Sequence, residues 1–225
     1  MTKPDAWSKK YLGYAFGDED LLQQALTHRS ASANHNERLE FLGDAVLGMA
    51  VAHAVYIRRP DGPEGDLTRL RAMLVRRETL ADIARDIELG SQISVGPGEN
   101  RSGGSELSSV LANALEAIIG AIFLDGGYPA AEAAIGRVYA SRLSVLPDSE
   151  SLKDPKTRLQ ERLQADQIAP PDYSLSFVTG PSHAQIFEVA CRVASLELEA
   201  TGTGTSRRRA EQDAAARLLD LLPHV

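Results

Sequence analysis

A chain of 225 residues and 24.2 kDa has room for one large domain, or for a medium one with a small companion, which excludes a disulfide-stapled miniprotein. With 43% hydrophobic and 24% charged residues, it has the makings of an ordinary packed core, and disorder along the whole chain is excluded too. Its 24 Lys and Arg against 31 Asp and Glu leave a net charge of −7; the excess acid sits early, with 15 basic and 21 acidic residues up to position 150 and 9 and 10 after it. A protein of this sign that handles polyanions must gather its cations on one face or recruit cations to its carboxylates, and the sequence shows signs of both. The single cysteine, Cys191, lies in an alternating stretch where a small buried apolar residue serves, so a reducing compartment is expected. No signal-like apolar core opens the chain, and no window approaches about 18 uninterrupted apolar positions. The expectation is a cytoplasmic protein, neither secreted nor membrane-spanning.

In chain order, apolar residues recur at the helical period over Leu21 to Leu26, Glu37 to Tyr56, Leu67 to Arg77, Thr79 to Ile87, Ser108 to Leu124 and Ala130 to Leu143. The first part therefore reads as all-α. Asp66 and Thr79, or a neighbour of Thr79, are the expected N-caps, Gly90 is expected to end one helix, and Gly126-Gly127 another. From Ser144 the text turns polar and Pro-punctuated, the mark of a linker, assigned to 147–153 between domains at 1–146 and 154–223. Lys156 to Gln164 then reads as helix, Tyr173 to Val178 and Ile186 to Val193 alternate like strands, a third strand reaches Ala200, and Arg207 to Leu222 returns to helix. That order, α-β-β-β-α, defines a small α+β domain.

On a helix beginning at Glu37, a turn of 100° per residue puts Glu37, Glu40 and Asp44 on a strip about 60° wide, with Leu39, Leu42 and Val46 on the opposite side. Like charges three and four residues apart repel, and His35 and Arg38 lie off the strip, so a divalent cation is the natural partner; a merely solvated face is the bland alternative. A second helix repeats the pattern, with Asn113, Glu116 and Gly120 facing away from Leu111, Leu115, Ile118 and Ile122. Gly48 joins the first strip, and glycines beside acids permit a close approach. If the two faces meet, Glu40, Asp44, Asn113 and Glu116 converge as oxygen ligands suited to Mg²⁺. Phe41 falls beside the acids and away from the core stripe, either packing on another helix of its own domain or anchoring a second subunit.

The run Asn36-Glu37-Arg38-Leu39-Glu40-Phe41-Leu42-Gly43-Asp44-Ala45-Val46-Leu47 resembles the signature of ribonuclease III, supported by Ala25-Leu26-Thr27-His28-Arg29-Ser30, Glu64-Gly65-Asp66-Leu67 and Leu111 to Gly120 in the same order. The resemblance covers nearly the whole chain. It implies a helical catalytic domain that forms a symmetric homodimer, followed by a double-stranded-RNA-binding domain. It further implies Mg²⁺-dependent cutting of duplex RNA, with Mn²⁺ able to substitute, to 5'-phosphate and 3'-hydroxyl ends in the processing of ribosomal, messenger, transfer and other RNA precursors. Glu40, Asp44 and Glu116 fall on the family's metal-binding acids, Asp44 and Glu116 on the ones called catalytic. Glu37 and Glu64 match further acids near the cleft, and Phe41 matches the aromatic that plugs the partner. Two departures stand out. Asn113 replaces an Asp, and Glu106-Leu107 stand where the family tends to carry a basic pair. Loss of that Asp motivates a rival reading, a duplex-RNA-binding regulator that does not cut.

After the linker, Thr157, Gln160, Glu161 and Gln164 follow i, i+3, i+4, i+7 spacing and form a hydrogen-bonding strip, which alone would read as solvated. Gly202 to Ser206 runs into Arg207-Arg208-Arg209, placing guanidinium groups at a helix N-terminus, an efficient phosphate site. A dinucleotide reading fails because Arg207 stands at the third glycine position, so no nucleotide cofactor is expected. As a set these features resemble the double-stranded-RNA-binding domain, with Ser182 and His183 in its minor-groove loop and Arg207 and Arg208 on phosphates. His28 is expected to be structural.

Overall fold

The computed structural model describes residues 4–97, 104–182 and 184–222. The chain divides into two compact units, Met1–Leu146 and Pro147–Val225. The first is helical: α1 (Pro4–Tyr11), α2 (Glu19–Ala25), α3 (Glu37–Arg58), α4 (Glu64–Val75), α5 (Arg77–Asp86), α6 (Ser108–Val138) and α7 (Ala140–Ser144). Its axis is the pair α3 and α6. Leu39, Gly43, Val46, Leu47, Ala50, Val51 and Val55 form the buried stripe of α3, and Leu111, Ala114, Leu115, Ile118 and Ile122 are among the fully buried residues of α6. Both helices are long and apolar enough to pass a length-and-hydropathy test for a membrane span, and here they serve as each other's packing partner.

Two glycines set how closely α3 and α6 approach. A Cβ built on Gly43 would stand 1.7 Å from the Glu116 carbonyl oxygen, and one on Gly120 would stand 2.2 Å from that of Leu39. Backbone therefore meets backbone at the crossing. Gly48, which the sequence also placed beside the acids, has open space around it instead.

Several helix boundaries differ from expectation. Asp66 does not cap α4, whose N-cap is Pro63; it is buried in the first turn and paired with Arg69 at 2.8 Å. Thr79 lies inside α5, which starts at Arg77, and its hydroxyl donates to the Met73 carbonyl. That helix stops at Asp86, so Gly90 belongs to a following 3₁₀ turn, Leu89–Gln92. The expected break at Gly126-Gly127 is real but local: Gly127 takes φ 74°, ψ −179°, and the chain resumes helical geometry at once. At this break Asp125 accepts from the Tyr14 hydroxyl, Gly17 N and Asp18 N, tying the start of the domain to the middle of α6. The sequence reading also missed α1, whose Trp7 is buried and donates through Nε1 to the Ile87 carbonyl at 2.7 Å.

The second unit runs α8 (Ser149–Leu152), α9 (Pro155–Ala165), β1 (Asp172–Thr179), β2 (Ile186–Val193), β3 (Leu198–Gly204) and α10 (Arg207–Leu221). The short α8 occupies part of the stretch read as an unstructured linker. The strands form one antiparallel sheet in the order β1-β2-β3, and Leu159, Leu163, Cys191, Val193, Ala200, Ala214, Ala215 and Leu218 close the core between sheet and helices. β3 continues past Ala200 to Gly204, because Gly202 lets α10 lie directly on the strand: its Cβ would meet Ala214 N at 2.0 Å. Asp154 caps α9 with Pro155 as its first residue, and Ser206 caps α10 by accepting from Arg209 N. The molecule is thus an all-α domain followed by a small α-β-β-β-α domain.

Candidate active site and RNA-binding surface

Because Gly43 and Gly120 bring the backbones together, the residues flanking them are brought together as well. Glu40 and Asp44 on α3 and Asn113 and Glu116 on α6 line one cavity of about 620 Å³. Glu37 and Phe41 complete the α3 wall, Leu107, Ser109 and Val110 the α6 wall, and His28, Arg29 and Asn36 a third side. That third side is pinned by backbone bonds: His28 N donates to Ser94 O at 2.9 Å, Asn36 N to Thr27 O at 3.0 Å and Ser94 N to Leu26 O at 2.8 Å. The Ser30 hydroxyl fixes it further, lying 2.8 Å from His28 Nδ1 and accepting from Gly96 N.

Gathering carboxylates in a half-enclosed place has an electrostatic cost. Burial, followed by the charges of Asp44 and Glu40, pushes the Glu116 carboxyl up to about 7, with Arg77 pulling the other way. Glu40 is also raised, by burial first and the charge of Glu37 second, while a side-chain hydrogen bond from the Asn113 amide opposes the rise. Asn113 therefore faces Glu40 as a donor as well as offering an oxygen to the cavity.

The oxygens are spread around the cavity: among the described residues, no three Asp, Glu, His or Cys groups stand close enough to grip one ion by themselves. A donor set made of carboxylates and one amide, spaced in this way, fits a hard cation that keeps several of its own waters, which is how Mg²⁺ binds. With no thiolate and mostly carboxylate oxygens, the set favours a hard cation over a soft one.

One assignment changes, and one of the two readings of Phe41 closes. Glu64 is not with the other acids; it accepts from the Thr68 hydroxyl at 2.7 Å and lines a separate depression with His53, Tyr56 and Arg71. Phe41 does not pack inside its own domain, being 82% exposed at the cavity's edge. Met49 and Tyr56 continue an exposed apolar line along α3 from it. Sequence reasoning did not place Arg29 or His28 in the site, although both belong to the quoted Thr-His-Arg-Ser run.

In the second unit, Thr157 and Gln160 of α9 share a depression with Arg208 and Gln212 of α10, so the polar strip and the arginine cluster form one surface. Gln164 lies further along the same helix beside Gln167 and Ile168. Glu161 pairs with Lys153, and Arg207 with the half-buried Glu211 at 3.0 Å, while both side chains stay substantially exposed. Lys156, absent from the sequence reading, pairs with Glu211 at 2.7 Å and lies 4.2 Å above the Tyr173 ring. Ser182 lines a recess with Gln185 and Thr205; His183 lies outside the described residues.

A helical domain with an acid-lined cavity, joined to an α-β-β-β-α domain with a basic and polar helix surface, defines a nuclease built to hold duplex RNA. Residues 18–143 match the ribonuclease-III-like family model, and residues 155–222 match the double-stranded RNA binding motif. Ribonuclease 3 of Photorhabdus laumondii subsp. laumondii is 50% identical over 95% of this chain and 95% of its own, and Ribonuclease 3 of Nitrosococcus oceani is 50% identical over 94% and 91%. Among solved structures, a nuclease domain of ribonuclease III from Campylobacter jejuni, described with flexibility in a region involved in dimer formation, superposes with TM-score 0.60. It is 41% identical, and the match covers 62% of this chain and 98% of that one. The chain belongs to the ribonuclease III family and is an endoribonuclease of double-stranded RNA.

Proposed function

We propose that this endoribonuclease works as a cytoplasmic homodimer that requires Mg²⁺, cuts duplex RNA to 5'-phosphate and 3'-hydroxyl ends, and processes ribosomal, messenger, transfer and other RNA precursors. The observation that carries the metal requirement is the meeting of Glu40, Asp44, Asn113 and Glu116 on one cavity, where mutual repulsion and burial hold a proton on Glu116 up to about pH 7. A hard cation resolves that conflict. Those four residues would hold it, in part through the waters it keeps, and when bound it would polarise water and neutralise charge on the departing oxygen.

The protein's own contribution is to fix and tune the groups. The Gly43–Gly120 crossing sets the separation of the α3 and α6 acids, and the Asn113 amide steadies Glu40. Asp44, exposed at the cavity, and Glu116, deeper in it, take the roles of catalytic acids. Thr157, Gln160, Gln164 and Arg208 form a surface for 2'-hydroxyls and phosphates, with Ser182 as a further contact and little dependence on sequence. Support for the dimer comes from Phe41, Met49 and Tyr56, an apolar line that nothing in the described protomer covers.

Incubating the purified protein with a long RNA duplex, with Mg²⁺ or with EDTA, and analysing the ends of the products tests this. Short duplexes with 5'-phosphates should accumulate only with the metal, and Asp44→Asn should stop them. Duplex bound but uncut in Mg²⁺ would favour the rival reading, a non-cleaving regulator.

A further inference from the structure

The cavity where cutting is assigned carries four carboxylates, Glu37, Glu40, Asp44 and Glu116, yet must receive a polyanion. Among the described residues that line it, Arg29 is the one Lys or Arg. On the α6 side, where the family resemblance leads one to expect a basic pair, stand Glu106 and Leu107, followed by neutral Ser108 and Ser109. Arg77 acts on Glu116 electrostatically but does not line the cavity.

Arg29 is placed for a phosphate. Its neighbour His28 is anchored to Ser94 through the backbone, so the chain is fixed while the guanidinium, 70% exposed, reaches over the cavity. It pairs with Glu37 at 3.2 Å, and Glu37 is itself 49% exposed. An ion pair this open is weak and easily exchanged. A phosphate offers the planar fork of an arginine two acceptor oxygens, a stronger contact than a single carboxylate oxygen in water.

We propose that Arg29 binds a backbone phosphate of the duplex in the cleavage cavity, with Glu37 as a counter-ion that holds the guanidinium in place until the phosphate arrives. The inference rests on the reading of this cavity as the cleavage site. It gives Glu37 a role distinct from metal binding and supplies the cleft contact that Glu106 and Leu107 cannot make.

The experiment is steady-state cleavage of a long RNA duplex by the full chain in Mg²⁺, across a series of KCl concentrations, for wild type, Arg29→Ala, Arg29→Lys, Glu37→Gln and the Arg29→Ala/Glu37→Gln double variant. Arg29→Ala should raise KM about tenfold, the size of one charge-assisted hydrogen bond, with a smaller change in kcat. The slope of log(kcat/KM) against log[KCl] should become shallower by about one unit, the mark of one lost phosphate contact. Arg29→Lys should recover the slope and part of the KM. Glu37→Gln, which removes only the counter-ion that orients the guanidinium, should raise KM less than Arg29→Ala does and keep the wild-type salt slope, and the double variant should keep the full Arg29→Ala defect. An unchanged KM and slope for Arg29→Ala would overturn the proposal. So would a KM rise of equal size in Glu37→Gln, since Arg29 would then act only by holding Glu37. Failure of the wild type to cut, or undiminished cutting by Asp44→Asn, would instead reject the cavity as the cleavage site.

Discussion

Glu116 is the residue whose environment departs furthest from that of a solvated carboxylate among the acids of the cavity. Its carboxyl is raised from 4.5 to about 7 in the folded protein, so the folded state holds a proton that the unfolded chain has released. Its contribution to stability is fully present below the unfolded value and is lost as pH rises through about 7. In EDTA, the melting temperature of the wild type relative to Glu116→Gln should therefore fall between about pH 5 and pH 8. A constant difference would mean that Glu116 titrates normally. Asn113 acts on the same balance from the other side. Asn113→Asp removes the donor that steadies Glu40 and adds a charge to the cavity, so metal binding should strengthen by about 1 to 3 kcal/mol and the Mg²⁺ concentration for half-maximal cleavage should drop. An unchanged metal dependence would leave Asn113 as a partner of Glu40 and not a ligand.

At the scale of elements, the site is a by-product of one helix crossing. Gly43→Ala must force the backbones of α3 and α6 apart, at a cost of about 1 to 3 kcal/mol or more, and should lose cleavage along with stability. Gly136 on the same α6 has open space, so Gly136→Ala should instead stabilise by about 0.5 to 1 kcal/mol without touching cleavage. Chemical denaturation of the two variants checks the contrast. The carboxylate strip of α3 and most of its apolar stripe were legible from spacing, because a 3.6-residue period fixes which side chains share a face; Leu42 is only half-buried, the stripe passing through Gly43 and Leu47 instead. That the two acidic faces would meet was legible only as a condition; Gly120 beside Glu116 hinted at it, while Gly43, the closer contact, went unread. Caps were harder. An Asp in the first turn of a helix reads like an Asp before it, so Asp66 reads as a cap when it is buried against Arg69. Eight residues with two lysines are too short for a clear period, which hid α1. Glu64 shows the limit of a motif match: order along the chain does not say which wall of the domain a residue faces.

At the scale of the whole molecule, the first unit leaves Phe41, Met49 and Tyr56 in the open. Truncating a buried aromatic anchor at an interface commonly costs about 2 kcal/mol or more, so on the proposed dimer Phe41→Ala should shift the equilibrium toward monomer in sedimentation velocity. An undiminished dimer would assign the interface to another face. In the second unit Arg208 opens onto the Thr157–Gln160 surface, whereas Arg207 is occupied with Glu211. Arg208→Ala should therefore weaken duplex binding and flatten its salt dependence by about one contact, more than Arg207→Ala does.

Phe41 has two addresses: it borders the acidic cavity, and it begins the apolar line along α3. Whatever covers that line also rebuilds one edge of the place where RNA is cut. Dissociation would then change each cavity as well as separating the two copies, so specific activity per chain should decline on dilution instead of staying constant. A cell could set the cutting rate through the amount of protein it makes, with output rising more steeply than the number of chains.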